Sequence, residues 1–105
     1  MNKIAQLNDI FRTSFIGGRI LTTIGIRHKS VEDIAQILTK VREFKDFNED
    51  NDPYKEHDWA KFAFKDDVII WKIDYYDKSL KYGSEDPSNP DITTRVLTIM
   101  TAEEY

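Results

Sequence analysis

Cysteine is absent from this 105-residue chain, which excludes disulfide bonds, thiolate zinc sites and cysteine nucleophiles. Long apolar runs are absent as well. The longest covers residues 68–71, whereas a membrane-spanning helix needs about 20 apolar residues. Residues 1–15 lack the apolar segment of a signal peptide. We therefore expect a soluble, cytoplasmic protein with no membrane partner.

The residues that are present are typical of one globular domain. Apolar residues make up 40% of the chain and charged residues 32%, which is unlike a disordered protein. A chain of this length is large enough for one modest core. We predict a single domain over residues 1–105.

Charge is unevenly distributed along the chain. The net charge is −4, but residues 1–45 hold eight bases and four acids, whereas residues 46–105 hold seven bases and fifteen acids. Six of these acids lie in residues 46–58, beside a single lysine. An acidic half lacks the basic footprint that nucleic-acid binding requires, so we expect no direct nucleic-acid partner. The asymmetry indicates either an interaction face or a solvated loop.

Two segments have the periodicity of helices. Residues 3–15 place apolar side chains at helical spacing, after Asn2 as a candidate N-cap and before two glycines. Residues 30–44 carry a second apolar stripe behind Ser30, with acids in the first turn and bases near the end. We predict a helix over each segment.

Two other segments favour strands. Residues 19–27 alternate β-branched side chains with others, which predicts a strand. Residues 92–100 are also rich in β-branched side chains, although Ile92, Val96 and Ile99 fit a helical stripe as well. We predict a strand there, with a helix as the alternative.

The sequence between them predicts a β-hairpin that turns at Asp66 and Asp67. This register gathers the large apolar side chains on one face, as strand pairing normally does. The predicted pairs on that face are Phe64 with Ile69, Phe62 with Trp71, and Ala60 with Ile73. On the other face Lys61 is expected opposite Lys72, with Asp74 as a nearby counter-charge.

These elements predict an α+β fold. Each helix and strand has one apolar face that needs a partner. The simplest arrangement has two layers, with two helices on one face of an antiparallel sheet of three or four strands. An exposed sheet edge leaves homodimerisation open.

The connection over residues 45–58 is the first candidate site. Connections of this length are uncommon in compact domains and are often functional. Its carboxylates and His57 are residue types that bind divalent cations. The EF-hand spacing fails, because Pro53 takes the glycine position and Trp59 that of the closing glutamate. We therefore assign no catalytic residue, no metal ligand and no cofactor.

A second candidate surface lies where the hairpin ends. Asp74 and Tyr76 are expected on the outer face of the sheet with Lys72, and Asp77 follows them. They form either a polar binding surface or an ordinary sheet end with a Lys–Asp contact. The candidate partner-binding residues are Asp50, Asp52, Glu56, His57, Asp58, Asp74, Tyr76 and Asp77.

Four segments together resemble one protein family. They are residues 51–59 (NDPYKEHDW), 71–77 (WKIDYYD), 83–87 (GSEDP) and 94–105 (TRVLTIMTAEEY). The family is a small bacterial one of unknown function, also found on phages and plasmids. Trp59 replaces an expected phenylalanine, and Thr101 an expected apolar residue. The resemblance implies no established activity, but it implies a small accessory protein of a mobile genetic element.

Two functions follow as hypotheses. The first is a non-enzymatic protein that binds a host protein with a basic surface, such as a CRISPR effector or another defence complex, and inhibits it through an acidic face. The alternative is a small metal-dependent hydrolase that uses Glu56, His57 and Asp58 with Asp74 or Asp77. Convergence of these side chains in a pocket would favour the enzyme, and dispersal would favour the binding protein.

Overall fold

The computed structural model describes residues 1–105 as three helices and a four-stranded sheet. The elements are α1 (Lys3–Ser14), β1 (Gly18–Thr22), α2 (Ile24–Arg27), α3 (Val31–Glu43), β2 (Trp59–Phe64), β3 (Asp67–Tyr76), β4 (Thr94–Thr101) and a C-terminal 3₁₀ turn (Ala102–Glu104). The predicted α+β class, both long helices and the strand over residues 92–100 are confirmed. None of the helices combines the length and apolar character that crossing a membrane requires.

Both long helices begin at the predicted caps. The Asn2 side chain accepts a hydrogen bond from the N–H of Ala5 at 2.7 Å, and the Ser30 hydroxyl accepts one from the N–H of Asp33 at 3.1 Å. α1 ends at Phe15, which has a left-handed backbone with φ 60°. The two glycines therefore follow the helix stop rather than form it.

The sheet is mixed, with the strand order β1-β4-β3-β2. β3 pairs antiparallel with both β2 and β4, while β1 pairs parallel with β4. The prediction of an entirely antiparallel sheet is therefore wrong for one pair. β4 buries Val96 and Met100 on one face and Leu97 and Ile99 on the other. β4 is a central strand, with β3 on one side and β1 on the other.

β1 ends at Thr22, so the strand predicted over residues 19–27 is wrong in its second half. The chain turns there into α2, and a carboxylate oxygen of Glu104 accepts the N–H of Gly25 at 2.9 Å. A Cβ at Gly25 would lie 2.5 Å from this carboxylate, so glycine permits the approach. A negative charge at the start of a helix favours the helix.

The hairpin has the predicted faces but another register. Lys65, with φ 53°, and Asp66 form the turn. The observed pairs are Phe64 with Asp67, Phe62 with Ile69, Ala60 with Trp71, Lys61 with Ile70, and Trp59 with Lys72. The predicted turn is therefore wrong by one residue, and the predicted pairs, including Lys61 opposite Lys72, are wrong by two. A slip of two residues keeps every side chain on its face, so hydrophobic alternation does not distinguish the two registers.

One hydrophobic core fills the space between the inner sheet face and all three helices. It contains Phe11, Ile26, Ile37, Val41, Ala60, Phe64, Ile69, Trp71, Ile73, Leu97 and Ile99. α1 approaches the sheet closely at Gly18, where a Cβ would lie 2.5 Å from the carbonyl oxygen of Arg95 and 2.8 Å from the Phe11 ring. This approach brings the polar side chains of α1 beside β3 and β4.

Glu104 fastens the C-terminal turn to the start of α2. Its carboxylate accepts hydrogen bonds from the Thr23 hydroxyl at 2.5 Å and from the N–H groups of Gly25 and Thr101, both at 2.9 Å. These hydrogen bonds, led by that of Thr23, lower the pKa of Glu104 from 4.5 to about 2. The charged form is therefore preferred in the folded chain.

Acid should remove the stability that Glu104 contributes. Because its pKa is lower in the folded than in the unfolded chain, the contribution is complete above the ordinary pKa and is lost as the pH falls towards 2. We expect the wild type to have a higher Tm than Glu104→Gln at about pH 6, with the difference closing near pH 2. Thermal unfolding followed by circular dichroism measures this, and a difference independent of pH would contradict it.

Candidate functional site

The connection over residues 45–58, called the acidic loop below, is ordered by its own side chains. Asn48 Oδ1 accepts the N–H of Asn51 at 3.0 Å, and Asn51 Oδ1 accepts the N–H of Asn48 at 2.8 Å. Asn2 Nδ2 donates to the carbonyl oxygen of Lys55 at 2.9 Å. The loop is therefore closed on itself and tied to the start of α1.

Asp52 fastens the second half of the acidic loop. Its side chain is only 5% exposed, and Oδ1 accepts the N–H groups of Glu56 and His57, both at 3.1 Å. Its Oδ2 makes no hydrogen bond within the chain and lies 3.6 Å from His57 Nε2. The carboxylate satisfies two backbone donors that have no strand partner.

His57 lies between two carboxylates. Its Nδ1 is 3.0 Å from both oxygens of Asp9, on α1. Its ring stacks on Phe47, with centroids 4.0 Å apart and an interplanar angle of 3°. Because a carboxylate only accepts hydrogen bonds, Nδ1 carries a hydrogen and Nε2 remains for Asp52 or a ligand.

Arg12 supports Asp9 from the protein interior. It is 2% exposed; Nη2 lies 3.1 Å from Asp9 Oδ1 and Nη1 donates to the carbonyl oxygen of Val41 at 2.8 Å. The guanidinium carbon is 5.0 Å from the Trp71 ring centroid and 5.5 Å from that of Phe47. Burial lowers the pKa of Arg12, and Asp9 opposes that shift. One cation thus joins α1, the end of α3 and the acidic loop.

A second chain of hydrogen bonds runs beside the first. The buried Arg95 donates through Nε to Asn8 Oδ1 at 2.7 Å. Asn8 Nδ2 donates to the Tyr75 hydroxyl at 2.8 Å, which donates to Glu56 Oε1 at 2.9 Å. Burial raises the pKa of Tyr75, which keeps the phenol protonated as a donor. These contacts link a buried cation to a carboxylate of the acidic loop.

The other predicted residues make no direct contact with these chains. Asp58 is half-buried just before β2; burial raises its pKa, and the nearby charges of Glu56, Asp52 and Asp74 raise it further. Asp74 and Tyr76 lie on the outer sheet face, where Asp74 Oδ2 is 2.9 Å from Lys72 Nζ, as expected. Asp77 follows β3 in a turn. The predicted partner-binding residues therefore do not form one continuous surface.

The outward side of the acidic loop carries a different set of residues. Asp46, Glu49, Asp50 and Tyr54 are exposed there, Tyr54 to 81%. Only Asp50 was among the predicted residues. A cleft of about 620 Å³ separates the loop from the start of α1. Its lining includes Phe47, Asn48, Glu49, Asp52, Lys55 and His57.

The residues of the hydrolase hypothesis make different direct contacts. Glu56 contacts Tyr75 and His57 contacts Asp9, whereas Asp58 lies just before β2, where burial and the charges of Glu56, Asp52 and Asp74 raise its pKa. No group of three or more His, Cys, Asp or Glu side chains is arranged to hold a metal ion. Direct contacts join only Asp9, Asp52 and His57.

The contribution of α1 to this site was not predicted from the sequence. Asn8, Asp9 and Arg12 each contact the acidic loop or the residues that support it. Asn8 and Arg12 lie four residues apart, beside the apolar stripe of the first helix. This position in the sequence could have indicated that both side chains make buried polar contacts. A polar side chain on a buried helix face needs a buried partner.

A family model described as "Protein of unknown function (DUF3768)" matches residues 22–104. No curated protein and no solved structure matches the chain. The comparisons therefore assign no activity to the residues of the site.

Proposed function

Because the chain belongs to this family of unknown function, we propose its function from its own geometry: it binds a basic surface of another protein through the acidic loop. One observation carries the proposal. The loop is closed by its own side chains and tied to α1, yet it leaves Asp46, Glu49, Asp50 and Tyr54 exposed. A preformed binding segment loses little conformational entropy when it binds.

The exposed residues suit such a contact. Carboxylates that face a basic patch accelerate association and make it sensitive to salt. Tyrosine is enriched at protein interfaces because it combines a large apolar area with a hydroxyl. Tyr54, with 81% of its surface exposed, is available for this role. The contact residues of the proposal are therefore Asp46, Glu49, Asp50 and Tyr54. Asp52 and Glu56 support them from within the loop.

The setting of this proposal comes from the family resemblance. We propose an accessory protein of a bacterial mobile element, carried by phages or plasmids and acting in the cytoplasm. Its partner is a host protein that binds nucleic acid, such as a CRISPR effector or another defence complex. Such a protein has a basic surface, and an acidic chain that covers it excludes the nucleic acid.

Capture from a lysate tests the proposal. The tagged chain is mixed with a bacterial lysate that contains intact effector complexes, at low and at high salt. The loop variant combines Asp46→Asn, Glu49→Gln and Asp50→Asn. The control variant, Glu32→Gln with Glu85→Gln and Asp91→Asn, removes the same charge from exposed positions outside the loop.

We expect a stoichiometric partner that is retained by the control variant and lost with the loop variant. High salt should also release it, because exposed charges are screened beyond about 8–10 Å at physiological ionic strength. A partner captured equally by both variants, or one indifferent to salt, contradicts the proposal. Capture of no partner contradicts it as well.

Acid–base chemistry at His57 is the second candidate. The observation that favours it is the contact with Asp9, which fixes the ring through Nδ1 and leaves Nε2 beside the cleft. The metal-dependent form, with Glu56 and Asp58, stays a prediction. Divalent-ion binding that disappears in His57→Ala, measured by calorimetry, would support it.

A further inference from the structure

We propose that the cleft beside the acidic loop receives a cationic nitrogen, the guanidinium or ammonium group of a basic side chain on the partner. Asp52 Oδ2 and His57 Nε2 accept its hydrogen bonds. The inference rests on the proposed function, because it names the group on the partner that this site recognises.

Asp52 supplies the first acceptor. Its side chain is about 95% buried and lines the cleft, which is costly for a carboxylate unless each oxygen has a donor. Oδ1 has two donors, the N–H groups of Glu56 and His57. Oδ2 has none within the chain, so this oxygen is available to a ligand.

His57 supplies the second acceptor. Nδ1 donates its hydrogen to Asp9, so in the neutral form of the ring Nε2 presents a lone pair. Nε2 and Asp52 Oδ2 lie 3.6 Å apart, two acceptors with no donor between them. A nitrogen that carries a positive charge and at least two hydrogens satisfies both of them.

The surroundings of the two acceptors fit a side-chain end rather than a bare ion. The cleft, at about 620 Å³, has room for a guanidinium group and its aliphatic stem. Glu49 adds a second carboxylate to its wall. Lys55 also lines the cleft and would repel a bound cation, but its side chain is exposed and can turn towards solvent. Asp50 and Tyr54, two of the proposed contact residues, are the chain neighbours of Glu49 and Lys55, which line the cleft.

A titration of the ¹⁵N-labelled chain with small probes tests the inference. The probes are methylguanidinium, methylammonium and the neutral methylurea, at constant ionic strength. Asp52→Asn is the test variant, because its Oδ1 still accepts both N–H groups while an NH₂ group replaces the free oxygen. Asp91→Asn is the control, since it removes the same charge from an exposed position outside both the cleft and the acidic loop.

We expect both cations, and not methylurea, to shift the amide signals of Asn48, Asp52 and His57. Asp52→Asn should weaken methylguanidinium binding at least about tenfold, because a charge-assisted hydrogen bond becomes a repulsive contact. Asp91→Asn should change it less than about twofold. Equal weakening in both variants, or equal binding of methylurea, would overturn the inference. If Asp52→Asn loses its dispersed amide spectrum, His57→Phe replaces it, since it removes Nε2 and keeps an aromatic ring against Phe47.

The two proposals fail in different ways. If the loop variant loses a captured partner while methylguanidinium does not bind, the cleft inference is wrong and the proposed function stands. If methylguanidinium binds and no partner is captured, the cation site stands and the proposed function is wrong. The ligand would then be a free amine or guanidine compound rather than a protein side chain.

Discussion

Replacing Arg12 with leucine should lower the free energy of unfolding by about 3 kcal/mol. The variant removes the donor to the carbonyl oxygen of Val41 and the buried cation beside Asp9. Loss of one partner from a buried ion pair typically costs about 3–5 kcal/mol. The lower end applies here, because the Asp9 side chain is 27% exposed and keeps its contact with His57. Urea unfolding followed by tryptophan fluorescence measures the change.

A second arginine gives the matched control. Arg19 is exposed on β1 and makes no hydrogen bond or ion pair, so Arg19→Leu should change stability by less than about 0.5 kcal/mol. The double variant Asp9→Asn with Arg12→Leu should lose less free energy of unfolding than the two single variants lose together, because both substitutions remove the same contact. A loss below about 1 kcal/mol in Arg12→Leu would show that this cation is dispensable.

The parts of the fold that the sequence predicted are those determined by neighbouring residues. α3 needs only an apolar stripe and the cap at Ser30, and both are visible within 14 residues. The hairpin register depends on distant residues instead. Its turn residue Lys65 lies 2.7 Å from Asp33, and Asp67 forms an ion pair with Lys29. These contacts join residues more than 30 positions apart, so a local sequence pattern does not reveal them.

Less of the candidate site than of the fold was predictable. The length and charge of residues 45–58 identified the acidic loop as a candidate, but nothing in the sequence distinguishes Asp50 from Asp52. The structure exposes one and buries the other, because Asp52 alone meets the backbone donors of Glu56 and His57. Asp9 is 48 residues away from His57, and their contact depends on how α1 packs on the sheet. Such pairings follow from the tertiary structure rather than from spacing.

Replacing Asp52 with alanine should open the acidic loop without unfolding the domain. Alanine leaves the N–H groups of Glu56 and His57 without an acceptor, at a cost of about 2 kcal/mol or more. Only Phe47 of the acidic loop packs against the hydrophobic core, and the segment around Asp52 contributes nothing to it, so this cost appears as local opening. Amide hydrogen exchange of these residues should become roughly 30-fold faster, while exchange in β3 and β4 changes little.

The comparison between two changes at Asp52 separates order in the loop from recognition in the cleft. Asp52→Asn keeps an acceptor for both N–H groups and removes the charge from the cleft, whereas Asp52→Ala removes both. A partner that needs only an ordered loop should bind Asp52→Asn as tightly as the wild type. It should bind Asp52→Ala at least about tenfold more weakly, because the open loop of that variant must become ordered when the partner binds. A partner that inserts a cation should be weakened by both variants. Unchanged exchange in Asp52→Ala would mean that the asparagine pair at 48 and 51 suffices to hold the loop, and the exposed carboxylates alone would then account for binding.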